Sequence, residues 1–252
     1  MRVVRANIVF EFEIDKDIVL SSGNGVKKVQ TEFNAKSQII NLPPITPPNA
    51  PRIIITFNNV LVKICQNRFE YIIEIPNHIQ EDPSLVFDYI LKLIKSLNPY
   101  LDPNEKGYNW CGVVAFNEFP CNEYKNNLDA MAPIFDKMIN IDRGSRDLAS
   151  FQLQFGFNEE GLYKNIALAG YDKVNVQLPP PQLSKPGDMF ILDMNSVGDI
   201  EETGISIVVD INNKPYEKHS DAIAEFSKIM TICKDTIDNI VDITNLRGVL
   251  CD

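Results

Sequence analysis

The stretch Tyr71-Ile72-Ile73-Glu74-Ile75-Pro76-Asn77 returns 136 residues later as Ile207-Val208-Val209-Asp210-Ile211-Asn212-Asn213, with apolar and acidic residues in the same order. An ungapped alignment of residues 25–97 with residues 161–233 has 13 identical pairs out of 73. This is roughly two to three times the matching that ordinary composition gives. Similarity at a fixed distance is typical of an internal repeat. We therefore predict two copies of one structural unit.

Each predicted copy begins with antiparallel strands. Residues 7–15 and 151–157 alternate between apolar and polar side chains, which is typical of strands with one buried face. Residues 15–24 are predicted as the loop of the first hairpin, seven residues longer than in the second copy. The predicted strands are residues 7–15, 26–33, 52–57, 61–65 and 69–75 in the first copy and residues 151–157, 162–169, 189–194 and 205–211 in the second.

One amphipathic helix follows the strands of each copy. Its apolar residues recur at spacings of one, three and four, which predicts a single apolar stripe. Asp82-Pro83 supplies a cap and a first-turn proline for the first helix. The stripes are Leu85, Val86, Tyr89, Ile90, Leu93, Ile94 and Leu97 in the first copy and Ala222, Ile223, Phe226, Ile229, Met230, Cys233, Ile237, Ile240 and Val241 in the second.

The material between the copies is predicted to form a strand at residues 110–119 and a helix at residues 128–139. The apolar face of an antiparallel sheet must be covered, and the helical stripes can cover it. The predicted class is therefore α+β, with two pseudo-repeated, mainly antiparallel sheets, each followed and covered by an amphipathic helix. The predicted organisation is a first repeat at residues 1–103, a connecting strand and helix at 104–149, and a second repeat with a long C-terminal helix at 150–252.

A proline-rich connector stands at the same place in each copy. Proline cannot donate to a sheet ladder, so we interpret both connectors as stiff, extended crossings between sheet edges. A ligand for a proline-binding module would look similar. The prolines are Pro43, Pro44, Pro47, Pro48 and Pro51 in the first connector and Pro179, Pro180, Pro181 and Pro186 in the second.

The composition is that of a globular protein, with 44% hydrophobic and 23% charged residues. A net charge of −10 argues against general binding to nucleic acid or to an anionic membrane, and would suit a basic partner. No segment is apolar enough to cross a bilayer, and residues 1–7 lack a signal-peptide core. Five scattered cysteines without C-x-x-C spacing indicate reduced thiols, with Cys251 exposed. We expect a cytoplasmic location.

The chain resembles a set of uncharacterised bacterial proteins of about 250 residues and, more distantly, SecB-type export chaperones. The resemblance is carried by the strands Trp110-Cys111-Gly112-Val113-Val114-Ala115-Phe116-Asn117 and Ile207-Val208-Val209-Asp210-Ile211, and by the closing helix from His219. It implies an exposed apolar groove for extended peptides, or a role beside a toxin or defence system. It carries over no functional residue.

One acidic stretch could bind a cation, and the sequence leaves this open. Oxygen ligands at alternating positions before a glycine are typical of a calcium loop. Counted from Asp193, however, position five is Val197 and position twelve is Gly204, where a bidentate Glu is needed. A solvated hairpin loop is the preferred interpretation. The oxygen-bearing residues are Asp188, Asp193, Asn195, Asp199, Glu201 and Glu202.

Other reactive residues form no catalytic or metal-binding pattern. His78 and His219 stand near helix starts without a second ligand at metal spacing, so we interpret them as surface or capping residues. The basic loop Arg143-Gly144-Ser145-Arg146-Asp147 could grip a phosphate or carboxylate. Gly23-Asn24-Gly25 lacks the third glycine and the lysine of a phosphate-binding loop. We expect no catalytic residue, cofactor or metal.

Three functions remain open from the sequence. The preferred one is a non-catalytic peptide- or protein-binding module, chaperone-like or associated with a toxin or defence system. The alternative is a small-ligand-binding protein or enzyme with a pocket between a curved sheet and the C-terminal helix. The third is a structural subunit of a homo-oligomer.

Overall fold

The computed structural model describes residues 1–43, 45–101, 107–139, 144, 146–159, 161–176, 197–213 and 222–240. Within these residues the chain forms nine strands, four α-helices and one 3-10 turn at Asn77–Ile79. The strands are β1 (Arg2–Phe12), β2 (Lys36–Ile39), β3 (Pro51–Phe57), β4 (Val60–Cys65), β5 (Arg68–Glu74), β6 (Tyr108–Pro120), β7 (Gln152–Glu159), β8 (Leu162–Val176) and β9 (Val197–Asn212), and the helices are α1 (Ile18–Phe33), α2 (Pro83–Leu101), α3 (Asn127–Met138) and α4 (Ala222–Asp238).

All strands of the described residues belong to one sheet in the order β2-β3-β4-β5-β1-β6-β9-β8-β7, and each neighbouring pair is antiparallel. The class α+β is confirmed, but the prediction of two separate sheets is wrong. The two halves share one sheet because β6 pairs with β1 on one side and with β9 on the other. No sheet edge therefore separates them.

The helices cover one face of this sheet, which we call the helical face. Phe226 of α4 packs on Phe10 of β1, and Phe33 of α1 packs on Phe57 of β3. Asn127, at the start of α3, lies against Gly170 of β8. Along the central strand β1 and its neighbour β5 the buried side chains alternate, so every second residue points into one continuous core under the helices. The sheet is therefore packed as a two-layer structure.

Most predicted elements are confirmed. The strands predicted at residues 7–15, 52–57, 61–65, 69–75, 110–119, 151–157, 162–169 and 205–211 and the three predicted helices all correspond to observed elements. β1 begins five residues earlier than predicted, at Arg2. The face of residues 151–157 that was predicted to be buried is only half-buried, because β7 lies at the sheet edge. The strand predicted at residues 189–194 lies outside the described residues.

Two predictions for residues 15–33 are wrong. The hairpin loop and the strand predicted at residues 26–33 are replaced by helix α1, whose buried side chains include Val26 and Val29. The offset of 136 residues places β5 on β9 and α2 on α4, but it also places α1 on strand β8. The internal duplication therefore stays a prediction.

The first proline-rich connector joins β2 to β3, which are antiparallel neighbours. The predicted crossing between sheet edges is wrong here, because the segment returns the chain to the adjacent strand. The second connector lies outside the described residues. Among the helices described, none combines the length and hydropathy that a membrane crossing needs.

Candidate functional site

The face opposite the helices, which we call the open face, carries the other half of the strand side chains. The strand pairing places these side chains in continuous rows across the middle of the sheet. In one row Asn7 lies between Ile72 and Val114, and Val114 lies next to Asp210. Among the residues described, no helix covers this face. Its apolar members are each only partly buried: Val9, Ile54, Leu61, Ile72, Val114, Phe116 and Val208.

An arginine and an aromatic ring mark the centre of the open face. The guanidinium carbon of Arg5 lies 4.0 Å from the centroid of the Phe116 ring, a cation–π arrangement. Among the described residues, Nε of Arg5 and Oδ1 of Asn7 have no hydrogen-bond partner. A hollow of about 230 Å³ beside this pair is also lined by Glu74 and Ser206. Unpaired polar atoms beside apolar ones are typical of a surface that receives a ligand.

A cleft of about 600 Å³, which we call the strand-end cleft, lies where β1 begins. It shares Val4, Glu74 and Glu118 with the hollow on the open face. Its other lining residues are Arg2, Ile75, Asn77, Gln80, Glu81 and Lys173. The two spaces are therefore adjacent, one on the sheet face and one at the strand ends.

Four charged side chains form a compact cluster beside the strand-end cleft. Arg2 lies 2.6 Å from Glu118 and 2.5 Å from Glu202, measured between nitrogen and oxygen. Lys173 lies 2.7 Å and 3.2 Å from the same two carboxylates. The hydroxyl of Tyr171 donates to Glu202 at 2.8 Å. The cluster joins β1, β6, β8 and β9 across the middle of the sheet.

The cluster shifts the pKa values of Glu202 and of the neighbouring Tyr171. Partial burial alone would raise the pKa of the Glu202 carboxyl, but hydrogen bonds from Tyr171 and Lys173 and the charge of Arg2 hold that pKa below its usual value. Burial, and then the hydrogen bond to Glu202, raise the pKa of Tyr171. At neutral pH Glu202 is therefore ionised and Tyr171 is a neutral phenol.

Glu202→Gln is expected to lower the free energy of unfolding by about 1 kcal/mol at pH 7, because it removes a partly buried, doubly paired carboxylate. Since the folded pKa of Glu202 lies below the unfolded value of about 4.3, this contribution is present above that value and is lost as the pH falls through the folded pKa. Urea unfolding from pH 7 to pH 3 checks this. Glu201→Gln, at the exposed neighbouring position, is the control and should change the stability by less than about 0.5 kcal/mol. A pH-independent difference between wild type and Glu202→Gln would contradict the assignment.

The structure places only part of the predicted acidic stretch. Asp199, Glu201 and Glu202 lie in strand β9, and Glu202 belongs to the ion-pair cluster. Asp188, Asp193 and Asn195 lie outside the described residues. The described part of the chain holds no group of three or more His, Cys, Asp or Glu residues suited to a metal ion. Cation binding by residues 188–202 stays undecided.

Four cysteines are buried free thiols: Cys65, Cys111, Cys121 and Cys233. Burial raises the pKa of Cys65 and of Cys121 to about 11, and that of Cys111 to about 12. Burial also raises the pKa of Cys233. A thiol with such a pKa is almost wholly protonated at neutral pH and is a poor nucleophile. Cys251 lies outside the described residues.

The remaining candidates are surface residues or lie outside the described part. His78 is exposed in the 3-10 turn before α2, as predicted. Arg146 and Asp147 of the basic loop are exposed, and Gly144 has a positive φ of 58°. His219, Arg143 and Ser145 lie outside the described residues.

The sequence interpretation missed the residues that mark the open face, above all Arg5 and Phe116. A signal for Arg5 was present, because the alternation along β1 places Arg5, Asn7 and Val9 on the face opposite Phe10. No signal linked Arg5 to Phe116, since that contact depends on the register of β1 and β6.

Comparison of the sequence with protein-family models and with curated proteins gives no match to either.

Proposed function

We propose that this protein is a non-catalytic module whose open face binds an extended, apolar segment of a peptide or protein partner. The observation that carries the proposal is the apolar centre of the open face, which no helix of the described residues covers. An antiparallel sheet with one solvated face usually alternates apolar inward and polar outward. Here Val9, Ile72, Val114, Phe116 and Val208 point outward instead. Val114, Phe116 and Val208 adjoin one another, and Asn7 separates them from Ile72. Adjacent apolar side chains on an uncovered face are typical of interaction sites.

The charges of the open face favour an apolar partner segment over a basic one. Lys63 lies 3.4 Å from Glu70, and Arg68 lies 2.6 Å from the same carboxylate. At the other end of the strands, the cluster of Arg2 and Lys173 neutralises Glu118 and Glu202. Because Glu70, Glu118 and Glu202 are paired, these three carboxylates add little to the negative field of a chain with a net charge of −10. Their pairing favours an apolar segment over a basic one.

The central arginine adds a polar anchor to this surface. The guanidinium of Arg5 lies over the Phe116 ring, and it can donate to a backbone carbonyl of a bound segment. An extended peptide presents such carbonyls at regular spacing between its side chains. In this proposal the module acts in the cytoplasm, in a chaperone-like role or beside a toxin or defence system.

A second candidate function is supported by the strand-end cleft. Its volume of about 600 Å³ and its converging Arg2, Lys173, Asn77 and Gln80 side chains would suit a small polar ligand. The predicted pocket between sheet and α4 has less support, because Phe226, Ile229 and Cys233 of α4 are buried in the core there.

Val114→Lys is expected to weaken the binding of a fluorescent, extended apolar peptide roughly tenfold or more, because the ammonium must be desolvated under the bound segment. The fold should survive, since Val114 is only partly buried and Asp210 lies opposite it in the register. Fluorescence anisotropy measures the dissociation constant, and circular dichroism checks the fold. Leu20→Lys on α1, at a position that is 80% exposed, is the matched control.

Two results would overturn the proposal. One is a wild-type protein that binds none of a panel of apolar peptides with different sequences. The other is an equal loss of affinity in Val114→Lys and Leu20→Lys. Binding that is instead lost in Glu202→Gln and kept in Val114→Lys would favour the strand-end cleft and the small-ligand function.

A further inference from the structure

Strand β7 ends the sheet formed by the described residues on one side, and most of its length lacks the usual protection of an edge strand. Residues 152–158, Gln-Leu-Gln-Phe-Gly-Phe-Asn, contain no charge and no proline, and the one charged residue of β7 is its last, Glu159, which pairs with Lys164 of β8. β7 pairs with β8, and no other described strand lies on its far side. An exposed edge of this kind presents unpaired N–H and C=O groups that can pair with another chain.

The apolar side of β7 is also left partly open. Leu153, Phe155 and Phe157 share the helical face with the core of the sheet, in register with Leu168, Ile166 and Lys164. Helix α3 packs over β8 and β9, one and two strands further in. The rings of Phe155 and Phe157 are stacked with centroids 6.4 Å apart, and Phe157 is 43% exposed. The core therefore ends at β7 with apolar side chains at its border.

The opposite edge of the sheet is protected. β2 has only four residues, it carries Lys36, and it is followed by the first proline-rich connector. Short strands, lysines and prolines are the usual means by which proteins block edge pairing. The β2 edge is thus blocked against pairing with a further strand, whereas the β7 edge is not.

We propose that the β7 edge pairs with the β7 edge of a second copy of this chain, in antiparallel register about a twofold axis through Phe155. This register places Leu153 opposite Phe157 of the second copy, and Gln152 opposite its Asn158. Every pair is uncharged, and the apolar side chains of the two copies meet on the same face. The strand is therefore self-complementary, as an isologous twofold interface requires. The pairing lies in the plane of the sheet and leaves the open face uncovered, so it is independent of the proposed function.

Light scattering coupled to size-exclusion chromatography, over a series of protein concentrations, tests the proposal. The wild type is expected to show twice the chain mass of 28.5 kDa. Phe157→Lys should return one chain mass, because it places an ammonium beside Leu153 of the second copy. Ile39→Lys on β2, also an exposed apolar position on an edge strand at 59%, should stay dimeric. A monomeric wild type overturns the proposal, as does a dimer that survives Phe157→Lys.

The register has its own test at two fully solvated positions, where the fold of the monomer is not at risk. The double variant Gln152→Lys with Asn158→Lys places like charges directly opposite each other twice, and should weaken the dimer severalfold. The double variant Gln152→Glu with Asn158→Lys places opposite charges there and should restore or strengthen it. Equal dimerisation constants for the two double variants would exclude this register.

Discussion

Replacing Phe10 with alanine is expected to remove about 3–5 kcal/mol from the free energy of unfolding. Phe10 is fully buried on the helical face of β1. Its ring centroid lies 6.0 Å from that of Tyr71, 5.2 Å from that of Tyr108 and 5.1 Å from that of Phe226. These partners belong to β5, β6 and α4. Truncation therefore leaves a cavity where the central strands meet a covering helix, and no single element can move to close it.

Urea unfolding at one fixed protein concentration measures this loss, since a dimer would make the apparent stability depend on concentration. The midpoint should fall while the slope with urea stays constant. Leu20→Ala also truncates an apolar side chain to its Cβ, but at an 80% exposed site on α1, and should change the stability by less than about 0.5 kcal/mol. Should Phe10→Ala prove unfolded, Phe10→Leu is expected to lose a smaller, measurable amount, about 1–2 kcal/mol. A loss below about 1 kcal/mol in Phe10→Ala would show that the three contacts are not a packed centre.

The strand β1 shows what the sequence can predict. The alternation of Ile8, Phe10 and Phe12 with Asn7, Val9 and Glu11 is a local property, because a strand turns successive side chains to opposite faces. It predicts the strand and its buried side, and both are observed for Ile8, Phe10 and Phe12, but Ile14, predicted on the same side, lies beyond the end of β1 and is 58% exposed. The same alternation places Arg5 on the other side, so one strand of the open face follows from the sequence.

The joining of the two halves does not follow from such a pattern. β1 and β6 are separated by more than 90 residues in the sequence, yet they pair from Arg2 with Glu118 to Phe12 with Tyr108. An alternating strand fits any neighbour of similar pattern, so local periodicity cannot choose between one wide sheet and two narrow ones. The Arg5–Phe116 contact and the cluster around Arg2 depend on this pairing. The sequence did not predict this site because the site depends on the same long-range strand pairing as the topology.

Helix α1 was not predicted because its local sequence favours a turn, whereas its packing in the fold favours a helix. Ser21-Ser22-Gly23-Asn24-Gly25 combines residues of low helix propensity that favour turns, and Asp17 makes no side-chain cap. Short helices in water are marginal, and packing usually decides whether they form. α1 packs against α2 through Gly25, where a Cβ would overlap the carbonyl oxygen of Tyr100. The glycine that favours a loop in the sequence is what permits close helix contact in the fold.

Because of this contact, alanine substitutions at Gly23 and Gly25, two residues apart on α1, are expected to change the free energy of unfolding in opposite directions. Alanine in place of glycine inside a helix normally stabilises by about 0.5–1 kcal/mol. Gly23 meets no heavy atom within 4 Å of a built Cβ, so Gly23→Ala should show this gain. Gly25→Ala should instead lose about 1–3 kcal/mol, because the backbones of α1 and α2 must separate. Separation also loosens the buried Val26 and Val29.

Thermal and urea unfolding of the two variants, side by side, separate helix propensity from helix packing. The propensity term is the same in both, so the difference between them, about 1.5–4 kcal/mol, reports the packing of α1 on α2 alone. The hydrogen bond from the Tyr100 hydroxyl to Glu32, at 2.6 Å, lies in the same helix pair but near its solvent side. Glu32→Gln should therefore change the stability little. Equal gains in Gly23→Ala and Gly25→Ala would mean that α1 does not lie against Tyr100, and that residues 18–33 hold their helix by local propensity after all.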